Sequence, residues 1–520
     1  MPDAPTKSGR PESDTVSVGP ESRGRRVTNP FKAVLGTVVD IEPAGARRKF
    51  VPLPVGEPAD MGNAPDGVPL IDPRIFDSGE FARNPYPYYR IMRDHYPVFH
   101  DQLHNCYYVT RYDDITACYF DEVGFNTIPK GSSSGVLGNT QLELSGIEHR
   151  RRRNIYGRHL VGAALTKRLH ALREIADELI AEWWDPDNPK NQAMADQPAR
   201  IEIDRESGTA LIELGACFAN EFPISVVAQV LGIPQDARQQ FTWWYDAMMS
   251  GLGGSDTHHA GLVARQDLED FVESLVEDRR ATPTYLHDET GNKICLDIIS
   301  ELCTSEIDGD VMSTEEITSF VALIVGGGGE TTRGAIMNLW YLLLQHPAQF
   351  EAVQNDPSLW TAAFHEMLRH STSIGGQPRH NTFDIELHGV TIPAGSLIHM
   401  VDVSANHDDR VFTDPECFDI FRTDLYTGKI LRSGHDGSGP DGDGRSSHMA
   451  FGVGPHLCPG AWISHQEAAI GSELLAPTLR NVRIATDRMP KNPTANIDGI
   501  ELAPIGLGAI RQLWLRFDLP

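Results

Sequence analysis

No uninterrupted apolar run in this 520-residue sequence reaches the roughly 18 residues that a membrane-spanning helix needs, so no span is expected. No two cysteines are spaced as Cys-x-x-Cys. The seven (Cys106, Cys118, Cys217, Cys295, Cys303, Cys417 and Cys458) are odd in number and far apart. That spacing implies no disulfide framework and points to a reducing compartment. Positive charge is scarce: 45 Lys and Arg stand against 72 Asp and Glu, a net charge of −27. An acidic balance disfavours nucleic acid and anionic membranes as partners and fits a cytoplasmic enzyme. Arg25-Arg26 lacks the apolar core of an export signal behind it, since Asn29, Pro30 and Lys32 follow, so export is not expected.

What is present centres on Phe451-Gly452-Val453-Gly454-Pro455-His456-Leu457-Cys458-Pro459-Gly460. Gly452, Gly454 and Gly460 permit sharp turns or close approach to a flat partner. Pro455 and Pro459 fix φ on either side of the sulfur. A helical run starts at Ala461, and a helix N-terminus favours thiolate over thiol. These are the requirements of an axial thiolate on haem iron. An inert buried cysteine and a zinc site gathered from His435, His448, His456 and Cys458 are the alternatives, and the second lacks any Cys-x-x-Cys.

The loop resembles the Phe-Gly-x-Gly-x-His-x-Cys-x-Gly signature of the cytochrome P-450 superfamily, matching it at Phe451, Gly452, Gly454, His456, Cys458 and Gly460. The resemblance implies a mainly helical α+β fold: a triangular helical domain with small β-sheets and a buried haem. It implies haem b with Cys458 as iron ligand, O2 as co-substrate, a lipophilic small-molecule substrate (terpenoid, steroid or aromatic) and a separate ferredoxin-type or flavin electron donor. Phe451 and Gly452 then belong to the cofactor-binding loop. With no anchor in view, the soluble, bacterial-type branch is the expected one.

Residues 1–65 are rich in Pro, Ser and charge and are expected to form a disordered leader. Residues 66–520 are expected to form one haem-thiolate monooxygenase domain. Asp113 and Asp114 are placed to cap a helix from Ile115. His149 and Arg153, four apart on one helix face, match the family's His-x-x-x-Arg, which implies that they hold a haem propionate. Arg150, Arg151 and Arg152 read either as a solvated basic face or as a docking patch for an acidic donor. Residues 163–184 and 208–231 show helical periodicity.

Ser313-Thr314-Glu315-Glu316 is a capping-box signature that opens a helix expected to end near Gln345. Gly326-Gly327-Gly328-Gly329-Glu330-Thr331 lies at its centre. Each glycine costs a helix about 1 kcal/mol against alanine, a burden not expected of a purely structural helix. The Lys-[Ser/Thr] ending of a phosphate loop is missing. The run matches the family's distal helix at Gly327, Gly328, Glu330 and Thr331. The resemblance implies a helix bulge beside the iron, with Thr331 in oxygen activation and Glu330 in proton relay.

Glu366 and Arg369 match the family's buried Glu-x-x-Arg pair. The third arginine of that pattern is replaced by Cys417, with Arg422 as a candidate substitute. Arg379 stands where the family binds a propionate, as does His456. Ser371–Gln377 is expected to line the distal pocket. Residues 388–398 read as two strands around a Pro-Ala-Gly turn. Residues 424–447, rich in Gly and Asp, read as a flexible surface insertion, and the helix from Trp462 is expected to stop before Pro477.

Overall fold

The computed structural model describes residues 67–519 apart from 79–80, 82–83, 128–140, 186, 189–190, 192–199, 253–254, 283–284, 288–292, 308, 426–447, 489–499, 502–508 and 511. The chain falls into two units, Met1–Pro43 and Ala44–Pro520, and every described residue belongs to the second. The leader expected over 1–65, and all but the first two residues of the insertion expected over 424–447, lie outside the described residues.

Helix α1 (Tyr86–His95) buries Tyr88, Tyr89 and Met92 against strands β1 (Val98–Asp101) and β2 (Cys106–Val109). Helix α2 (Tyr112–Phe120) follows, and β3 (Phe125–Asn126) after it. The expected aspartate cap is corrected here. The helix starts earlier, at Tyr112, and Asp113 and Asp114 lie inside its first turn. Its free amide is met from afar, Tyr112 N donating to Asp408 Oδ2 at 3.1 Å. A distant carboxylate therefore does what a local cap does elsewhere.

Helices α3 (Gly146–Gly157) and α4 (Gly162–Ala181) come next. The helical reading of 208–231 fails at Thr209–Glu213 and holds from Leu214 onward, through a π-helical turn at Gly215–Ala219. Strand β5 (Thr209–Glu213) pairs with β4 (Ile201–Asp204), and α5 (Glu221–Leu231) starts after it, ending at Gly232 with φ 84°. An apolar run suits a central strand as well as a helix. Helices α6 (Arg238–Leu252) and α7 (Ser255–Ala281) pack on each other, and α8 (Ile298–Thr304) packs on α7.

Helix α9 (Thr314–Gln345) is the spine. Ser313 Oγ accepts from Glu316 N, and the Glu316 carboxylate accepts from Ser313 N at 2.9 Å, so the capping box is complete. Apolar side chains are buried round its whole circumference, the mark of a core helix. It packs on α5, α7, on α11 (Leu359–His370) beyond the short α10 (Pro347–Asn355), and on α12 (Ala461–Thr478). Pro477 does not stop α12, which continues to Thr478; in the last turn a missing N–H frees only one carbonyl.

Strands β6 (Gln377–Asn381), β7 (Ile385–Leu387), β8 (Val390–Ile392) and β9 (Leu397–Met400) follow α11. One sheet has the order β1-β2-β9-β6-β3, with β2 and β9 parallel. The two strands expected around Pro393-Ala394-Gly395 exist but do not pair with each other. β8 pairs with β7 through His388 and Gly389, both at positive φ, while β9 joins the larger sheet. A second sheet, β10 (Arg480–Ile484), β11 (Trp514–Asp518), β5 and β4, is antiparallel throughout. Among the described residues no helix is long and apolar enough to cross a membrane.

Candidate active site

The cysteine loop is closed by its own backbone. Gly452 N donates to Met449 O at 2.8 Å, Leu457 N to Gly454 O at 3.0 Å and Cys458 N to Phe451 O at 2.8 Å. Gly452 and Gly454 sit at φ 67° and 74°, which a side chain would strain. Gly460 does not; at φ −81° it is the N-cap of α12. Phe451 and Trp462 pack on Ala461. Cys458 keeps part of its surface open. Burial pushes its thiol up, while the amides of Gly460 and Ala461 and the nearby Arg153 guanidinium pull it back. The helix N-terminus thus favours thiolate, as expected, but burial outweighs it.

Above this loop the structure brings together His149 and Arg153 of α3, Arg379 of β6, and His456. The His149 and His456 rings stack at 3.9 Å with 16° between planes. Burial first, then neighbouring positive charge, holds both down, His149 to about 4 and His456 to about 3. Both are therefore neutral near pH 7, and the 3.4 Å contact of His456 with Glu122 is to a neutral ring. Among the described residues neither Arg153 nor Arg379 has an acidic side chain at ion-pair distance. Arg379 is buried, donates to Pro378 O at 2.8 Å and lies over the Tyr119 ring at 4.9 Å. The buried Nδ1 of His149 has no partner. Two unpaired guanidiniums and an orphaned imidazole nitrogen beside a cysteine fit the carboxylate arms of a haem. Arg150, by contrast, pairs with Glu122, Arg151 with Glu148, and Arg152 with Glu148 and Glu316.

On α9 the glycine run is helical throughout, so the expected bulge is not seen. Instead the glycines divide. A Cβ on Gly328 would stand 2.5 Å from Val227 of α5, and one on Gly329 2.5 Å from the Tyr245 ring of α6, while Gly327 faces open space. Packing of two neighbouring helices therefore accounts for two glycines and does not account for Gly327. Thr331 Oγ1 donates to Gly327 O at 2.7 Å, and Ser373 Oγ donates to Thr331 O at 2.9 Å, so the 371–377 segment does border this helix. Glu330 pairs with Arg333 at 2.9 Å and accepts from Tyr245 at 3.5 Å. Trp340 Nε1 to Ser472 Oγ, at 3.1 Å, ties α9 to α12, the helix that Cys458 precedes.

Glu366 and Arg369 are fully buried and joined by hydrogen bonds of 2.7 and 2.8 Å. Arg369 also donates to Asn406 O, Pro415 O and Cys417 O. Asn406 Oδ1 accepts from Met449 N at 2.7 Å, so the pair reaches the cysteine loop in one step. Arg422 takes the third place, its Nε 3.0 Å from Glu366 Oε2. That nitrogen is not aligned for a hydrogen bond, so the contact is Coulombic. Cys417 contributes only its carbonyl. The sequence offered no signal for Asn406, Tyr245 or Glu122, whose roles come from distant contacts.

A family model described as cytochrome P-450 matches residues 224–504. A Mycobacterium tuberculosis (H37Rv) protein provisionally named cytochrome P-450 123 is 27% identical over 448 residues, spanning 85% of this chain and 97% of that protein. Steroid C26-monooxygenase of Mycolicibacterium smegmatis is 30% identical over 309 residues, 57% of this chain and 68% of that protein. The ligand-free structure of cytochrome P-450 TbtJ1 superposes with a TM-score of 0.65 at 26% identity, covering 83% of this chain and 97% of that one. The matched span holds the glycine run, the Glu366–Arg369 pair and the Cys458 loop together, and this chain belongs to the cytochrome P-450 family, as a monooxygenase.

Proposed function

We propose that Cys458 is the iron ligand of haem b, that the Phe451–Gly452 turn and Gly327 border the ring, and that His149, Arg153, Arg379 and His456 hold the propionates. The observation that supports this reading most is the pair of guanidiniums without acid partners beside the cysteine loop. Bound haem supplies reduction of dioxygen and transfer of one oxygen atom to the substrate, the other leaving as water. This chain's residues orient and move protons. The Glu330 carboxylate, between Arg333 and Tyr245, passes protons inward from the surface. The Thr331 hydroxyl, resting on Gly327 O, turns to hand them on.

The substrate in this reading is a lipophilic small molecule of the steroid type, supported by the name of the Mycolicibacterium relative; terpenoid and aromatic compounds share its chemistry. Electrons come from a separate ferredoxin-type or flavin donor, and the acidic chain with its dispersed cysteines fits the cytoplasm. The deciding experiment is the visible spectrum of the reduced protein with carbon monoxide. A strongly red-shifted Soret band, lost in Cys458→Ala, supports the reading. A band typical of histidine-ligated haem, or no haem at all, overturns it. Titration with a panel of steroids, read from the Soret shift, then tests the substrate class.

A further inference from the structure

Three histidines that the proposed chemistry leaves unused are buried together beneath the cysteine loop. They are His365 of α11, His448 at the entry to the loop, and His465 of α12, at 1%, 1% and 6% exposure. His365 Nδ1 lies 3.0 Å from His448 Nε2. The His365 and His465 rings stack at 5.2 Å.

Their neighbours dictate where each proton sits. Ala450 N donates to His448 Nδ1 at 3.3 Å, so a neutral His448 carries its hydrogen on Nε2 and donates it to His365 Nδ1. His365 then carries its hydrogen on Nε2, which is buried without a partner. His465 Nδ1 lies 3.1 Å from the Gln466 amide nitrogen, and its Nε2 is likewise without a partner. Every acceptor nitrogen is thus already engaged. A proton added to His448 Nδ1 faces the Ala450 N–H, and one added to His365 Nδ1 faces the His448 N–H.

Loop geometry carries the consequence to the sulfur. His448 and Ala450 lead directly into Phe451, whose carbonyl accepts from Cys458 N at 2.8 Å, while Gly452 N returns to Met449 O at 2.8 Å. Residues 448–452 therefore bind the loop's entry to its cysteine. We propose that the His365–His448 hydrogen bond is a latch that positions the Cys458 loop, with His365 a positioning residue for the thiolate, and that acid opens it by protonating these rings. The inference rests on the reading of Cys458 as iron ligand.

Burial sets the titration in the direction such a latch needs. It holds His365 well below 6.5, His448 at about 3 and His465 at about 4. Among the described residues the charges that bear on the three rings are their own and that of Arg369, which opposes a proton on His448. A depressed histidine contributes stability that is complete above its unfolded value of about 6.5 and is lost as pH falls toward the folded value. The latch is therefore closed at neutral pH and weakens as pH falls below about 6.5.

The test compares haem-loaded wild type, His365→Leu and His365→Gln, with the red-shifted Soret band of the reduced carbon monoxide complex followed over time from pH 7.5 to pH 4.5. Amide exchange of the 448–460 segment is read in parallel. Leu removes the acceptor and leaves the His448 N–H unpaired, so the band should decay roughly tenfold faster at neutral pH, with faster exchange at Cys458. Gln offers a carbonyl acceptor that does not titrate, so it should match wild type at neutral pH and outlast it in acid. Equal behaviour of Leu and Gln, or no change in either, overturns the latch while leaving Cys458 as ligand. Wild type that never shows the red-shifted band overturns the Cys458 reading, and the latch with it.

Discussion

Arg422 stands 3.0 Å from the carboxylate of Glu366, a group that Arg369 already grips with two hydrogen bonds and that accepts a third, at 2.9 Å, from Asp419 N. One buried anion thus answers two nearly buried guanidiniums. Glu366→Gln leaves Arg369 with no carboxylate among the described residues, while Arg422 keeps Asp424 at 2.6 Å, and breaking a buried pair in this way costs about 3–5 kcal/mol. Arg422→Ala removes one partner, keeps Arg369 in place and costs about 1–3 kcal/mol. Urea unfolding of the two variants checks the order. An Arg422 variant as damaging as the Glu366 variant would mean that Arg422, not Arg369, carries the charge balance.

The glycine run makes a prediction residue by residue. Gly327 faces open space in an intact helix, so Gly327→Ala should raise the stability of the haem-free protein by up to about 1 kcal/mol. Gly328→Ala and Gly329→Ala drive a methyl into Val227 and Tyr245, and overpacking should cost about 1–3 kcal/mol each. If Gly327 borders haem, its alanine variant gains stability without haem and loses haem affinity. Thermal unfolding with and without haem separates the two effects, and a Gly327 variant that loses stability in both forms contradicts the open face.

Thr331 and Glu330 predict different failures. Without its hydroxyl, Thr331→Ala should turn electrons over to free hydrogen peroxide while donor oxidation continues. Glu330→Gln slows proton supply and should lower turnover by about 10²-fold or more, with coupling less affected. The ratio of product to donor consumed distinguishes them. Unchanged coupling in the Thr331 variant removes the role given to that residue.

Much of this site was legible because its chemistry is local in sequence. The spacing within 451–460, the four-residue step from His149 to Arg153 and the three-residue step from Glu366 to Arg369 each place partners on one loop or one helix face. The capping box at Ser313 likewise closes over three residues. What was missed joins distant segments. Asp408 caps α2 from 296 residues away, Thr209–Glu213 becomes a strand because β11 and β4 flank it, and Gly328 and Gly329 make room for other helices. Periodicity and propensity describe a segment's own preference, and tertiary contact overrides it where the two differ.

Glu467 offers a pH test on α12. It is 2% exposed, and burial holds its carboxyl well above 4.5, partly offset by a hydrogen bond with Thr332. A raised folded value means the folded state keeps a proton that the unfolded chain releases. Its contribution is therefore complete below about pH 4.5 and falls as pH rises toward the folded value. Glu467→Gln removes that dependence. The variant should equal wild type near pH 4.5 and gain on it with rising pH, by at most about 1.4 kcal/mol per unit. Urea unfolding at pH 5 and pH 8 measures the gap. A gap that narrows with pH would show that Glu467 is ionised in the fold.

The propionate cradle can be tested against a control on the same surface. Arg379 is buried and unmatched by acid, whereas Arg150 is exposed and already paired with Glu122 at 3.0 Å. If a haem carboxylate fills the place beside Arg379, Arg379→Gln loses a charge-assisted hydrogen bond of about 1.5–3 kcal/mol, which is roughly 10–150-fold in haem release. Arg150→Gln gives up only an exposed ion pair of about 0–1 kcal/mol and should release haem at nearly the wild-type rate. Transfer of haem to an apoglobin acceptor reads both. Equal rates for the two variants would show that Arg379 answers no ligand charge, and the anion site would then have to be sought away from β6.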